Sequence, residues 1–165
     1  MGVDDREFEE LFGAEFSGVV RSAFVVCQDT GRAEDLAQEA FLELLRHWGR
    51  VSHYDRPGAW VRRIAIRKAV QVTNREARRS WFERRAAASP VADGLSPVRV
   101  DDALWADVRS LPAQQRAVVA LFYYEDLSVQ DVAGVLGCSA ATVKVHLHRA
   151  RDALRACVSQ AEALS

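Results

Sequence analysis

Two helices separated by only two residues set the tightest constraint on this chain. They lie between Leu127 and Arg155. Ser128-Val-Gln-Asp131 has the form of a capping box and opens a short helix ending at Leu136. Gly137 follows as a natural left-handed stop, because glycine takes a positive φ without a Cβ penalty. Ser139 then caps a last helix running from about Ala140 to Cys157. Two helices joined this tightly must cross closely. Ala133 is small where they meet, and Val132, Leu136, Val143, Leu147 and Leu154 point to a common core.

That layout is a helix-turn-helix, whose second helix enters the major groove of DNA. The residues left outside its core suit the task. Ser139 and Thr142 stand at the helix N-terminus, where free N–H groups and the dipole favour phosphate. Lys144, Arg149, Arg151 and Arg155 are cationic against one acid, Asp152, and Val145 and His148 stand where base edges would be. The competing reading is a three-helix corner with a solvated basic face. The small residue, the glycine, the cap and the cationic helix all favour the first. His146 and His148 are two apart on a helix and point to opposite sides, so neither a metal nor any other cofactor is expected.

The rest of the chain is also helical by period, and no strand alternation is present, so the expected class is all-α. Asp4 or Asp5 can cap a first helix with a stripe of Phe8, Leu11, Phe12, Phe16, Val19, Val20 and Ala23, broken at 28–31. A second helix is expected from about Arg32 to Trp48, with Leu36, Ala40, Phe41, Leu44, Leu45 and Trp48 inward and Asp35, Gln38, Glu39 and Glu43 around the remainder. Residues 49–56 read as a loop, and Pro57 suits the first turn of a third helix reaching about Arg79. From about Ala86 to Val100 the period is lost among Ser89-Pro90, Asp93-Gly94 and Ser96-Pro97, a run of breakers that reads as an interdomain linker. The division is thus 1–82, a linker 83–100, and 101–160.

Charge is divided along the chain although the net charge is only −1. From Met1 to Leu45 there are eleven acids against three basic residues; from Arg56 to Arg85 there are ten basic residues against two acids. Such a split suggests two partners of opposite character. The loop and third helix place Arg50, His53, Tyr54, Arg56, Arg63 and Arg67 together, aromatic rings beside cations, as single-stranded DNA requires. Trp60 is better read as core. No apolar run nears the roughly 20 residues of a membrane span and no secretory signal precedes the first helix, so a cytoplasmic protein is expected. The three well-separated cysteines, Cys27, Cys138 and Cys157, fit a reducing compartment. A redox sensor would instead need an exposed thiolate.

Taken together, Ala33-Glu-Asp-Leu-Ala-Gln-Glu-Ala-Phe-Leu-Glu-Leu-Leu-Arg-His-Trp48, Arg56-Pro-Gly-Ala-Trp-Val-Arg-Arg-Ile-Ala65, Leu111-Pro-Ala-Gln-Gln-Arg116 and the helix-turn-helix resemble, in order and spacing, the extracytoplasmic-function (ECF) branch of the sigma-70 family. The resemblance implies a transcription initiation factor rather than an enzyme, built of a sigma-2 and a sigma-4 domain. It implies that Asp35, Leu36, Gln38, Glu39 and Glu43 dock on the beta-prime clamp helices of core RNA polymerase, with a further contact at the beta flap. The loop and third helix would read the minus-10 element, the last helix the minus-35 element of promoter DNA. An anti-sigma factor is a further implied partner, and no membrane insertion is expected. The chain departs from the family pattern at Arg67, where an asparagine is common, at Gln71, where an aspartate is common, and at Lys144-Val-His-Leu147, where "K-S-R-L" is common, so no particular promoter sequence carries over. A helix-turn-helix regulator that is not a polymerase subunit is the alternative, but the alternating strands and phosphoacceptor cluster of a receiver domain are missing from the N-terminal half. An enzyme is disfavoured by the lack of a phosphate loop, metal spacing or nucleophile–base pair.

Overall fold

A computed structural model describes residues 3–83 and 102–163, and within them the regular structure is helical throughout. The chain divides into two compact units, residues 1–96 and 97–165. The linker expected at 83–100 lies almost wholly outside the described residues.

The first unit holds α1 (Val3–Cys27), α2 (Thr30–Arg46), the single turn α3 (Trp48–Val51) and α4 (Pro57–Glu83). The three long helices pack pairwise around one core. Alanines at 23, 33, 37, 40, 65 and 69 are wholly buried, which lets the helix backbones approach closely. Larger groups, Val19, Val26, Leu44, Val61 and Ile66, fill the space between them. At one end Phe8, Phe12 and Phe16 surround Phe41, with Phe8 also edge-on to Trp48 at 5.3 Å.

The junction of α1 and α2 is shorter than the four-residue break expected from sequence. Gln28 alone takes the left-handed conformation (φ 57°), its N–H bonding Phe24 O at 2.9 Å. Asp29 then caps α2 by accepting from Arg32 N at 2.9 Å, so Thr30 and Gly31 form the first turn of the helix. Trp48 does not end α2; the helix stops at Arg46 and Trp48 begins α3, which occupies part of the expected loop. At the start of α4, a Cβ on Gly58 would lie 2.6 Å from the Glu15 carboxyl carbon. The missing side chain lets that carboxylate rest on the helix N-terminus, where it also pairs with Arg62.

The second unit comprises α5 (Asp102–Ser110), α6 (Ala113–Val119), α7 (Val129–Leu136) and α8 (Ala140–Ala163). α6 continues into a wide π-helical turn, Ala120–Tyr124, closed by Glu125 N to Ala120 O at 3.1 Å. Leu111, Val118, Leu121, Val132, Val143 and Leu147 form the interior.

Arg116, the arginine of the Leu111–Arg116 motif, is a structural group. It is only 8% exposed, and its guanidinium donates to the Leu111 and Arg109 carbonyls at the end of α5. Arg116→Ala is expected to lower the stability of the second unit by about 1.5–3 kcal/mol, the range for hydrogen bonds to a charged group. Urea unfolding followed by circular dichroism would read this as a separate earlier transition.

Candidate nucleic-acid interface

The helix-turn-helix is built as its residues predict. The Ser128 hydroxyl accepts from Asp131 N at 3.1 Å and donates to the Asp131 carboxylate at 2.8 Å. Gly137 stands at φ 66°, ψ 34°, and Cys138 N returns to Ala133 O at 3.1 Å. The Ser139 hydroxyl accepts from Thr142 N at 3.1 Å and contacts the Thr142 hydroxyl at 2.8 Å. Both hydroxyls therefore complete the helix cap, and what they leave for a phosphate is the N-terminal end of α8 itself.

Buried Val143, Leu147 and Ala150 fix the rotation of α8. Lys144, Val145, His148 and Arg149 consequently form its exposed face, as expected. His148 Nε2 lies 3.2 Å from the Asp152 carboxylate. His146 is half-buried, and burial first, the Arg149 charge second, hold its imidazole below the ordinary range. It is thus neutral at pH 7 and adds nothing to the cationic face. Sequence reasoning missed the contact beside that face: Arg151 Nε donates to the Tyr123 hydroxyl at 2.8 Å, its guanidinium 5.9 Å from the Phe122 ring centre.

In the first unit, Arg50, His53, Tyr54 and Arg56 are all exposed on α3 and the following loop, ahead of α4. Trp60, read from sequence as core, is only half-buried, with His47 5.9 Å from its ring. Arg63 is half-buried, and its Nε is buried without a hydrogen-bond partner. Arg67 lies 3.3 Å from Glu43, which also holds Lys68 at 3.3 Å. Glu43 and Arg67, assigned by sequence to two different surfaces, are each other's partners across α2 and α4.

The remaining residues assigned to a partner surface divide in the same way. Asp35, Gln38 and Glu39 are exposed. Leu36 is 3% exposed and belongs to the core, so it cannot touch a partner directly. Leu45, expected inside, is 52% exposed, and Leu42 is 55% exposed. Asp35, Gln38, Leu42 and Leu45 follow each other at helical spacing and make one outward stripe, acidic and polar at its start and apolar at its end.

Burial pushes the Cys27 thiol up, against a smaller opposing effect of its hydrogen bond to the Asp29 backbone, and the net rise keeps it protonated at neutral pH. Among the described residues no group of three or more His, Cys, Asp or Glu is placed to hold a metal, and no helix is long and apolar enough to cross a membrane.

Two family models match the chain: sigma-70 region 2 over residues 11–79 and sigma-70, region 4 over residues 102–154. The RNA polymerase sigma-E factor of Streptomyces avermitilis is 32% identical over 90% of this chain and 83% of its own length. The ECF RNA polymerase sigma factor SigK of Mycobacterium tuberculosis is 30% identical over 95% of this chain and 88% of its own. Among solved structures, the sigma factor RpoE of Bartonella quintana, in complex with the anti-sigma factor NepR, matches with a TM-score of 0.68. It covers 93% of this chain and 98% of its own at 19% identity, a likeness of fold.

Proposed function

The chain belongs to the sigma-70 family, as a member of its ECF branch, and from that membership we propose how its two units divide the work of starting transcription. Sigma factors of this branch bind RNA polymerase and recognise promoters; they are not enzymes. The first unit, taken as residues 1–82, is the sigma-2 domain. Its α2 stripe, Asp35, Gln38, Glu39, Leu42 and Leu45, docks on the beta-prime clamp helices, where acidic groups meet a basic partner and the two leucines lose exposed apolar surface. Leu36 shapes that surface from beneath, and Glu43 fixes α4 against it through Arg67 and Lys68.

The exposed Tyr54 and His53, with Arg50 and Arg56, form the stacking and phosphate surface for the separated minus-10 strand, supported by Arg63 and Arg67. Unstacking a base costs a few kcal/mol, which stacking and phosphate contacts offset. The second unit, residues 101–160, is the sigma-4 domain, with α8 in the major groove of the minus-35 element and a docking contact to the beta flap. Two modest contacts on one chain reinforce each other through effective concentration, so neither domain need bind tightly alone.

The observation that carries this reading is the face of α8: Lys144, Val145, His148 and Arg149 stand outward on a helix whose rotation is locked by Val143, Leu147 and Ala150. Run-off transcription tests it. The chain is expected to make core polymerase initiate at a selected promoter with no other sigma factor present; a regulator outside the polymerase would need one. An anti-sigma factor that covers both domains at rest is a further proposed partner, supported by the fold likeness to a sigma factor solved with one.

A further inference from the structure

The outer face of α8 carries an apolar side chain at its centre. Val145 lies two residues from Val143 and two from Leu147, so at 3.6 residues per turn it is about 160° around the helix from each. Those two are 0% and 4% exposed. Val145 therefore points straight away from the core, and it is 46% exposed. Single exposed valines are common on protein surfaces. This one differs in its position: it occupies the middle of the face that would meet base edges, with exposed Lys144 beside it and exposed Arg149 one turn on.

Its neighbours along the stripe add little hydrogen bonding at that point. Ala141, one turn back, is exposed and offers only a methyl group. His148, one turn on, has its Nε2 3.2 Å from the Asp152 carboxylate. The centre of the face is thus an apolar strip of Ala141 and Val145 flanked by cations. In the major groove, only thymine presents an apolar group, its C5-methyl, while the other edges present donors and acceptors that a valine cannot satisfy. A polar base edge covered by Val145 would lose water without gaining a partner, so the strip both selects for thymine and selects against the alternatives.

We propose that Val145 is a specificity-determining residue that reads a thymine methyl group in the minus-35 element. This rests on the role of α8 set out above, and the test separates the two. Holoenzyme formed from core RNA polymerase and the full chain selects, from fragments randomised upstream of a fixed pre-melted bubble, the duplex it prefers. Each thymine of that duplex is then replaced by deoxyuridine, which removes the methyl and keeps every hydrogen-bonding group. Loss of one buried methyl predicts about fourfold weaker binding at one position. Val145→Ala is expected to bind the thymine duplex weaker by a similar factor and to be indifferent to deoxyuridine at that position. Val145 is exposed, so the variant should keep the wild-type circular dichroism melt; Val145→Thr, which keeps one methyl and matches valine in shape, should retain part of the deoxyuridine penalty. Indifference of the wild type to every deoxyuridine, or a full penalty retained in Val145→Ala, overturns the proposal. Failure to enrich any upstream duplex would instead overturn the promoter-reading role of α8, and the inference with it.

Discussion

Lys144→Ala combined with Arg149→Ala is expected to silence promoter-dependent transcription while leaving assembly with core polymerase intact. Both side chains are exposed on α8 and make no ion pair among the described residues, so their loss leaves the helix-turn-helix core of Val132, Val143 and Leu147 untouched. Alanine is also the better helix former, which keeps α8 in place. If each makes a good contact to DNA, each is worth about 1–3 kcal/mol, and together they amount to roughly 30- to 25,000-fold in Kd. Where the contacts are to phosphate, the slope of log K against log salt should also fall by about two. Filter binding of holoenzyme to a minus-35 duplex across a salt series, beside a pull-down with core polymerase, measures both quantities. Loss of core binding in the double variant would mean that the two units had been given the wrong tasks.

The parts of this interface that could be read from sequence are those whose causes are local. Ser128, Gly137 and Ser139 each act within four residues of themselves, through a hydroxyl or a positive φ, and the structure places each as its chemistry requires. Where the cause lies elsewhere in the chain, the pattern misleads. Leu45 follows Leu44 and Phe41 at a spacing that suits burial. The buried stripe of α2 is displaced toward Ala33 and Ala37, whose small side chains let neighbouring helices sit close, and this turns Leu42 and Leu45 outward. The π-helical turn at 120–124 has no signature of its own, since an apolar Ala-Leu-Phe-Tyr-Tyr run suits an ordinary helix equally well. The pairing of Glu43 with Arg67 and Lys68 spans two helices and appears only when they are packed. It shows why charge counts along the chain assign residues to surfaces only coarsely: a carboxylate inside the acidic block and a guanidinium inside the basic block are joined within one bundle.

The outward stripe of α2 gives the second large effect. Asp35→Lys together with Leu42→Lys is expected to weaken binding to core polymerase at least about a hundredfold. Two terms add. Covering an exposed leucine at an interface contributes about 1.5–3 kcal/mol when the side chain becomes fully buried. Placing a cation opposite a basic surface costs several kcal/mol where it replaces a complementary acid. Neither change touches the interior, because both positions are exposed and lysine is a good helix former, so the melt of the first unit should stay near that of the wild type. Leu36→Ala is the opposite case. At 3% exposure its truncation leaves a cavity among α2 and its neighbours and should cost about 2–5 kcal/mol of folding stability. Core binding by Leu36→Ala should then be recovered at low temperature, where enough of the unit is folded, whereas the double lysine variant should remain deficient at every temperature at which it is folded. Fluorescence anisotropy of labelled chain titrated with core polymerase separates these outcomes. A double lysine variant that binds like the wild type would move the docking surface off α2 altogether.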